Sequence, residues 1–131
     1  MKYVFEKRKV LEAFEILKVA ANAVNERKAR DMFAVEVGEI TILAEYLLMA
    51  TATSSTHVRA LAEEVECKLS ELGVEPHHVE GKATGWILLD YNEVIVHIFS
   101  REAREFYSLD RMWSDGNVIN LDDILTSEQE D

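Results

Sequence analysis

The chain has 131 residues, of which 48% are hydrophobic and 30% charged, and its net charge is −11. Length and composition are typical of one globular domain with its own core. The acidic balance argues against a protein that grips nucleic acid through its phosphates, because that kind of binding needs clustered lysine and arginine.

Three features of the sequence indicate a cytoplasmic protein. No apolar run is long enough to cross a membrane, and residues 1–7 lack the apolar core of a signal peptide. The single cysteine, Cys67, cannot form an internal disulfide, which is typical of a reducing compartment. A cytoplasmic location is therefore expected.

The negative charge is concentrated at the carboxyl end. After Trp113 the sequence has no basic residue but several acidic ones: Asp115, Asp122, Asp123, Glu128, Glu130 and Asp131. We therefore expect a domain over residues 1–113 and an acidic tail over residues 114–131 that is partly disordered. The apolar residues of the tail are expected to dock only weakly: Val118, Ile119, Leu121, Ile124 and Leu125. A basic protein is a better partner for this chain than a bare RNA.

The first predicted element is a helix over about residues 3–28. Its apolar residues recur at steps of four and three, which places them on one stripe: Val10, Phe14, Leu17, Ala21 and Val24. The stripe could bind a helix of another protein. Packing on the chain's own sheet is the favoured interpretation, because most helical stability comes from such packing.

Two strands are predicted next. Residues 31–37 place Phe33, Val35 and Val37 on one face of a strand. Residues 44–52 are almost continuously apolar, which is typical of a central strand buried on both faces.

A second helix is predicted to begin near residues 53–56, where serine and threonine offer several N-caps. Gly73 is a suitable residue to end it, and Pro76 follows soon afterwards. Cys67 lies off the apolar face of this helix, and no neighbouring motif indicates an activated thiol.

The most informative stretch is residues 80–99. Two apolar runs, residues 86–89 and 94–99, flank the polar segment 90–93, which predicts a β-hairpin. Asn92 suits a turn position with positive φ. Because both runs are apolar on both faces, the hairpin is expected to lie inside a sheet that is covered on both sides.

Short elements complete the predicted fold. Residues 77–80 indicate a strand before the hairpin, and Ser100 is placed to cap a last helix after it. The apolar stripe of that helix is predicted to be Phe106, Leu109 and Met112 or Trp113. The element order is then α-β-β-α-β-β-β-α, an α/β (mixed α+β) fold with one mixed five-stranded sheet flanked by helices.

Residues that could carry catalysis do not form a recognisable set. His77 and His78 are adjacent and would point to opposite faces of a strand, so one metal ion cannot easily bind both. Residues 53–56 could form an anion site, but they lack the glycines and lysine of a P-loop, and helix capping explains them better. Asp90 and Glu93 are turn carboxylates. We therefore predict no catalytic residues, no metal and no cofactor.

Trp86 is the first candidate for a binding residue. It follows a glycine-bounded loop and begins a strand, so its backbone is held while its ring can reach the rim of the sheet. Two interpretations remain open: a core residue, because tryptophan is highly buried on average, or a contact anchor of the kind that dominates interfaces.

Four stretches, taken together, resemble the ribosomal silencing factors, also called the Iojap-like family. They are A-E-Y-L-L-M-A-T-A-T-S-S-T-H-V (residues 44–58), V-E-G (79–81), W-I-L-L-D-Y-N-E-V-I-V-H-I-F (86–99) and R-E-F-Y-S-L-D-R-M-W (104–113). The hairpin together with the F-Y-x-L-x-x-x-W helix is specific, and the resemblance extends over residues 31–113.

The resemblance implies a protein that is not an enzyme and whose core is similar to that of nucleotidyltransferases. It implies binding to the large ribosomal subunit through large-subunit ribosomal protein fourteen, a block of joining with the small subunit, and a homodimer when free. Trp86 matches the interface tryptophan of the family, with Ile87 or Leu88 beside it. The pair Glu80 and Gly81 matches the family's E-G.

The sequence departs from the family pattern at several places. Glu45, Ala52 and Asn92 replace the usual aspartate, glycine and glycine, and the loop over residues 81–86 is one residue shorter than usual. The alternative function is a nucleotide-binding or nucleotidyltransferase-like enzyme. Such an enzyme would use the 53–56 junction and Asp90, and nucleotide would raise its thermal midpoint.

Overall fold

A computed structural model describes residues 11–81, 85–107 and 115–126 of the chain. The fold is a mixed sheet flanked by helices, as predicted, but with six strands instead of five. In chain order the elements are α1 (Ala13–Glu26), β1 (Arg30–Glu36), β2 (Tyr46–Ala52), α2 (Ser55–Glu71), β3 (His78–Glu80), β4 (Trp86–Asp90), β5 (Val94–Ser100), α3 (Arg101–Tyr107), β6 (Asn117–Val118) and a 3-10 turn (Leu121–Asp123).

The strands lie in the order β3-β4-β5-β2-β1-β6. Strands β2 and β5 are parallel and central, and the other described pairs are antiparallel. The crossover from β2 through α2 therefore leads to the far edge strand β3, while the parallel neighbour of β2 is β5. The reason is burial: β5 is apolar on both faces and suits the centre, whereas β3 is short and polar, which suits an edge.

Both long helices pack on one face of the sheet. The strand residues of that face alternate along each strand and are buried with the helices: Leu48, Ala50, Ile87, Leu89, Val96 and Ile98. From α1, Leu17, Ala21 and Val24 are completely buried there, as the periodicity predicts. Burial of a leucine or valine side chain contributes about 1.5–3 kcal/mol, so this layer forms the main core.

Helix α1 is shorter and its buried face broader than predicted. It begins at Ala13 after a capping box formed by Glu12 and Glu15, while residues 1–10 lie outside the described part of the chain. Phe14 is 41% exposed and contacts the ring of Tyr46 edge-on, so it borders the stripe and does not fill it. Three alanines that the stripe omits are buried as well: Ala13, Ala20 and Ala23.

The ends of α2 and the start of α3 follow their local signals. Ser54 caps α2 by accepting a hydrogen bond from the His57 backbone N–H at 3.0 Å. Gly73 has φ +83° directly after the helix, as predicted. Ser100 accepts a hydrogen bond from the Ala103 N–H at 3.1 Å and so caps α3. The predicted apolar stripe of α3 lies outside the described side chains.

The hairpin of β4 and β5 is confirmed. Asn92 has φ +72°, and its N–H donates to the Asp90 carboxylate at 2.7 Å, which closes the turn. Strand β5 is buried on both faces, but β4 is only half-buried at Trp86 and Leu88. The expected cover on both sides is therefore correct for β5 and wrong for β4 at Leu88; Trp86, which was expected at the rim of the sheet, is half-buried.

Residues 115–126 are bound more firmly than the predicted weak docking. Strand β6 pairs with β1, and Ile124, 2% exposed, belongs to the main core. The Asn22 side chain donates to the Ile124 carbonyl at 2.9 Å and accepts from the Thr126 N–H at 2.8 Å. In the part of the chain that the structure describes, no helix is long and apolar enough to cross a membrane.

Candidate functional site

The face of the sheet opposite α1 and α2 brings three of the predicted binding residues together. Residues directly opposite one another on paired strands share a face. Glu80 lies opposite Leu88, and Leu88 lies opposite His97. Trp86 is two residues from Leu88 on β4 and therefore points to the same side. We call Glu80, Trp86 and Leu88 the docking surface; it lies at the β3–β4 edge of the sheet.

Trp86 is held by two side chains of β5. Its indole N–H donates to Nδ1 of His97 at 3.0 Å. Its ring stacks on Phe99, with centroids 5.3 Å apart and planes at 26°. Trp86 is nevertheless half-buried, whereas Phe99 beneath it is completely buried. The indole is thus supported by Phe99 on one side, and part of its surface is accessible.

His97 is the buried acceptor in this cluster. It is 7% exposed, and burial lowers the pKa of its imidazole to about 4. The indole nitrogen can only donate, so Nδ1 of His97 carries no proton, and the neutral ring has its hydrogen on Nε2. His97 was not among the residues predicted from the sequence; its position two residues before Phe99 on a predicted strand is the signal that could have paired it with Trp86.

The lowered pKa of His97 makes stability depend on pH. The unfolded chain binds this proton near pH 6.5 and the folded chain near pH 4, so between these values the unfolded state binds more protons and stability falls as pH falls. We expect a loss of up to about 3 kcal/mol across this window. Urea unfolding at several pH values measures it. His97→Asn, which keeps every other titrating group, should show a flatter dependence; an equally steep one would contradict this assignment.

Gly81 has a backbone that only glycine tolerates here. Its φ is +86°, and a Cβ added to it would lie 2.1 Å from the Trp86 carbonyl oxygen. The chain thus turns away from β3 in close contact with the first residue of β4. Gly81 therefore lies against the backbone of Trp86 and presents no side chain to a partner.

Glu80 gives the docking surface a negative charge. Its side chain is 63% exposed, and its carboxylate lies 2.6 Å from Nε2 of His78 on the same side of β3. Leu88 lies between this carboxylate and His97 and is half-buried. An apolar pair beside an exposed carboxylate suits a partner with apolar and basic groups.

Ile87 is separate from the docking surface. It alternates with Trp86 and Leu88 along β4, so it faces α1 and α2, where it is 2% exposed in the main core. Of the two residues that the resemblance offered beside Trp86, the structure brings only Leu88 to this side.

The residues of the alternative enzyme are not brought together. Asp90 lies opposite Ile95 near the start of β5, whereas the 53–56 junction follows the far end of β2. Five residues of strand separate these ends, or roughly 16 Å. A cavity of about 660 Å³ lies at the junction, but the Ser54 hydroxyl is already used by its helix cap. In residues 11–81, 85–107 and 115–126, no three His, Cys, Asp or Glu side chains form a metal site.

Comparisons with known proteins agree with the resemblance. Residues 10–131 match the family model described as "Ribosomal silencing factor during starvation". The chain is 31% identical to a ribosomal silencing factor of Halalkalibacterium halodurans over 113 residues, 86% of this chain and 97% of that one. It is 33% identical to the Bacillus subtilis factor over 108 residues, 82% of this chain and 92% of that protein.

A solved structure shares the fold. A crystal structure of a protein from Chromobacterium violaceum superimposes with a TM-score of 0.77 at 32% sequence identity, covering 79% of this chain and 88% of that one. The similarity thus includes the fold as well as the sequence. The chain belongs to the family of ribosomal silencing factors.

Proposed function

We propose that this chain represses translation by binding the large ribosomal subunit through large-subunit ribosomal protein fourteen and sterically blocking its joining with the small subunit. It acts as a binding protein in the cytoplasm, not as an enzyme, and as a homodimer when free. Family membership and the names of the relatives support the ribosomal role. The partner and the block come from the family resemblance.

The choice of this surface rests on the contacts and the partial exposure of Trp86. Its ring is fixed by a hydrogen bond and a stacking contact, yet part of its surface is accessible. Interface hot spots are enriched in tryptophan, and a side chain that is already ordered loses little conformational entropy on binding. Leu88 extends the apolar contact, and Glu80 lies at its border.

Electrostatics favours the same kind of partner. The net charge of −11 would attract a basic protein and raise its association rate, and this effect weakens as salt rises. The exposed Glu80 carboxylate places one such charge on the docking surface itself. Direct contact with RNA phosphates is disfavoured by the same charge.

Co-sedimentation tests the proposal. The chain is expected to migrate with purified large subunits and not with small subunits, and excess chain added before mixing should reduce the peak of assembled ribosomes in a gradient. Trp86→Ala should abolish most of both effects. Ile42→Ala is the matched control, because Ile42 is a fully exposed apolar residue in the β1–β2 loop. Migration with assembled ribosomes, with no loss of that peak, would contradict the blocking mechanism.

A further inference from the structure

We propose that His97 is a positioning residue for the docking surface: its Nδ1 fixes the orientation in which the Trp86 indole meets the partner. This inference rests on the proposed function, in which Trp86 is the main contact. The contact that carries it is the 3.0 Å hydrogen bond from the indole N–H to His97. His97 itself is 7% exposed, so it acts through Trp86 and not by touching the partner.

The register of the hairpin places Trp86 and His97 close enough to make this contact. Trp86 lies opposite Phe99, and Leu88 lies opposite His97, so Trp86 and His97 are diagonal neighbours on one face. Diagonal neighbours lie within reach of aromatic side chains. The rings of His97 and Phe99 are nearly parallel, with centroids 5.8 Å apart and planes at 12°, and together they form a platform for the indole.

Stacking and hydrogen bonding restrain different motions of the indole. The contact with Phe99 restrains the plane of the ring, but an indole turned over about its Cβ–Cγ bond could stack in a similar way. Only one of these two orientations points the N–H towards Nδ1 of His97. The hydrogen bond therefore selects which edge of the indole faces outwards.

The hydrogen bond also removes a cost of binding. Without an acceptor in the protein, the indole N–H would bond to water, and a partner that covers Trp86 would leave it buried and unsatisfied, which is unfavourable. His97 already accepts that hydrogen inside the protein, so the partner needs only to match the apolar ring. The partner therefore needs only an apolar surface where it meets the Trp86 ring. Basic groups of the partner would contact Glu80.

Two substitutions of His97 distinguish the effect of losing the hydrogen-bond acceptor from the effect of changing the side-chain volume. His97→Asn keeps an acceptor oxygen at about the position of Nδ1, whereas His97→Leu keeps the bulk and removes the acceptor. We expect His97→Leu to weaken binding to purified large subunits by about tenfold, the equivalent of one lost hydrogen bond. His97→Asn should bind within about threefold of the parent.

A spectroscopic measurement reports the orientation without any ribosome. In a nitrogen–proton correlation spectrum, the indole signal of Trp86 is identified by its loss in Trp86→Phe. In the parent and in His97→Asn it should have the shift and slow exchange of a bonded N–H. In His97→Leu it should move towards the position of a solvated indole and exchange faster. An unchanged signal in His97→Leu would overturn the proposal.

The design distinguishes failure of this inference from failure of the proposed function. If Trp86→Ala binds subunits like the parent, the docking surface is wrong. If Trp86→Ala loses binding but His97→Leu does not, the docking surface is correct and the positioning role of His97 is wrong. Should His97→Leu not fold, His97→Val takes its place, because it also removes the acceptor and leaves an apolar side chain on β5. It must bind more weakly than His97→Asn; binding equal to that of His97→Asn would overturn the role of His97.

Discussion

Trp86→Ala is expected to weaken binding to large-subunit ribosomal protein fourteen at least thirtyfold, which corresponds to about 2 kcal/mol. The substitution removes the ring that Phe99 supports and leaves His97 without its donor. Because Trp86 is only half-buried, the loss of folding stability should stay near about 1–2 kcal/mol, below the roughly 3–5 kcal/mol of a fully buried tryptophan. Chemical denaturation and binding to the purified ribosomal protein measure the two effects on the same variant.

Salt separates the apolar and charged parts of this surface. The effect of Trp86→Ala should persist at high salt, whereas Glu80→Gln should slow association mainly at low salt, because exposed charges are screened. Ile42→Ala removes an apolar side chain of full exposure from a different loop and should bind like the parent. A folded Trp86→Ala variant with the parent's affinity would remove this residue from the binding site.

Gly81→Ala is expected to destabilise the fold by about 2–5 kcal/mol and to weaken binding as well. The left-handed φ of +86° costs a non-glycine residue about 1–2 kcal/mol. The new Cβ would also meet the Trp86 carbonyl oxygen at 2.1 Å, which forces the start of β4 to move. Overpacking of this kind adds about 1–3 kcal/mol. Urea denaturation measures the loss, and the movement of β4 should appear as weaker binding of the fraction that still folds.

The chain contains a matched control for this substitution. Gly73 has φ +83°, but a Cβ there would meet no atom within 4 Å. Gly73→Ala should therefore show the backbone strain alone, about 1–2 kcal/mol, with no effect on binding. Equal effects of the two substitutions would mean that the close approach of Gly81 to Trp86 has no consequence.

The parts of the fold that the sequence predicted well depend on short-range signals. Ser54, Ser100 and Gly73 mark helix ends through hydrogen bonds or backbone angles within a few residues, and Asn92 marks the hairpin turn in the same way. A two-residue alternation in burial follows from strand geometry alone. Once the turn at Asn92 is known, the hairpin register also follows.

The parts that were missed depend on contacts between distant residues. Nothing in β2 indicates which strand will be its parallel neighbour, because that choice results from competition for the buried centre of the sheet. The docking of Ile124 depends on Asn22, which is about a hundred residues away in sequence. Charge and terminal position predicted a loose tail, and tertiary packing overrode them for residues 115–126.

In the candidate site, too, local signals were predicted from the sequence and contacts between separate strands were missed. Trp86 was identified from its residue type and its place at the start of a strand. The choice between Ile87 and Leu88 was left open, although strand alternation alone places Leu88, and not Ile87, on the same face as Trp86. The role of His97 needed the register that sets it diagonally beside Trp86. A buried histidine is usually assigned to the core, and here the core position is what makes it a useful acceptor.

The central position of the parallel pair bears on how the chain folds. Its register joins Tyr46 to Val94, so this pairing must close a loop that contains α2, β3 and β4, whereas β1–β2 and β3–β4–β5 are local meanders. Closing long loops costs entropy before contacts repay it, and non-local pairing slows folding. We therefore expect the two meanders to form first and their junction to limit the rate. Glu80, Trp86, Leu88, His97 and Phe99 all belong to the second meander, so the surface that recognises the partner is assembled from one continuous piece of chain before the slow step begins.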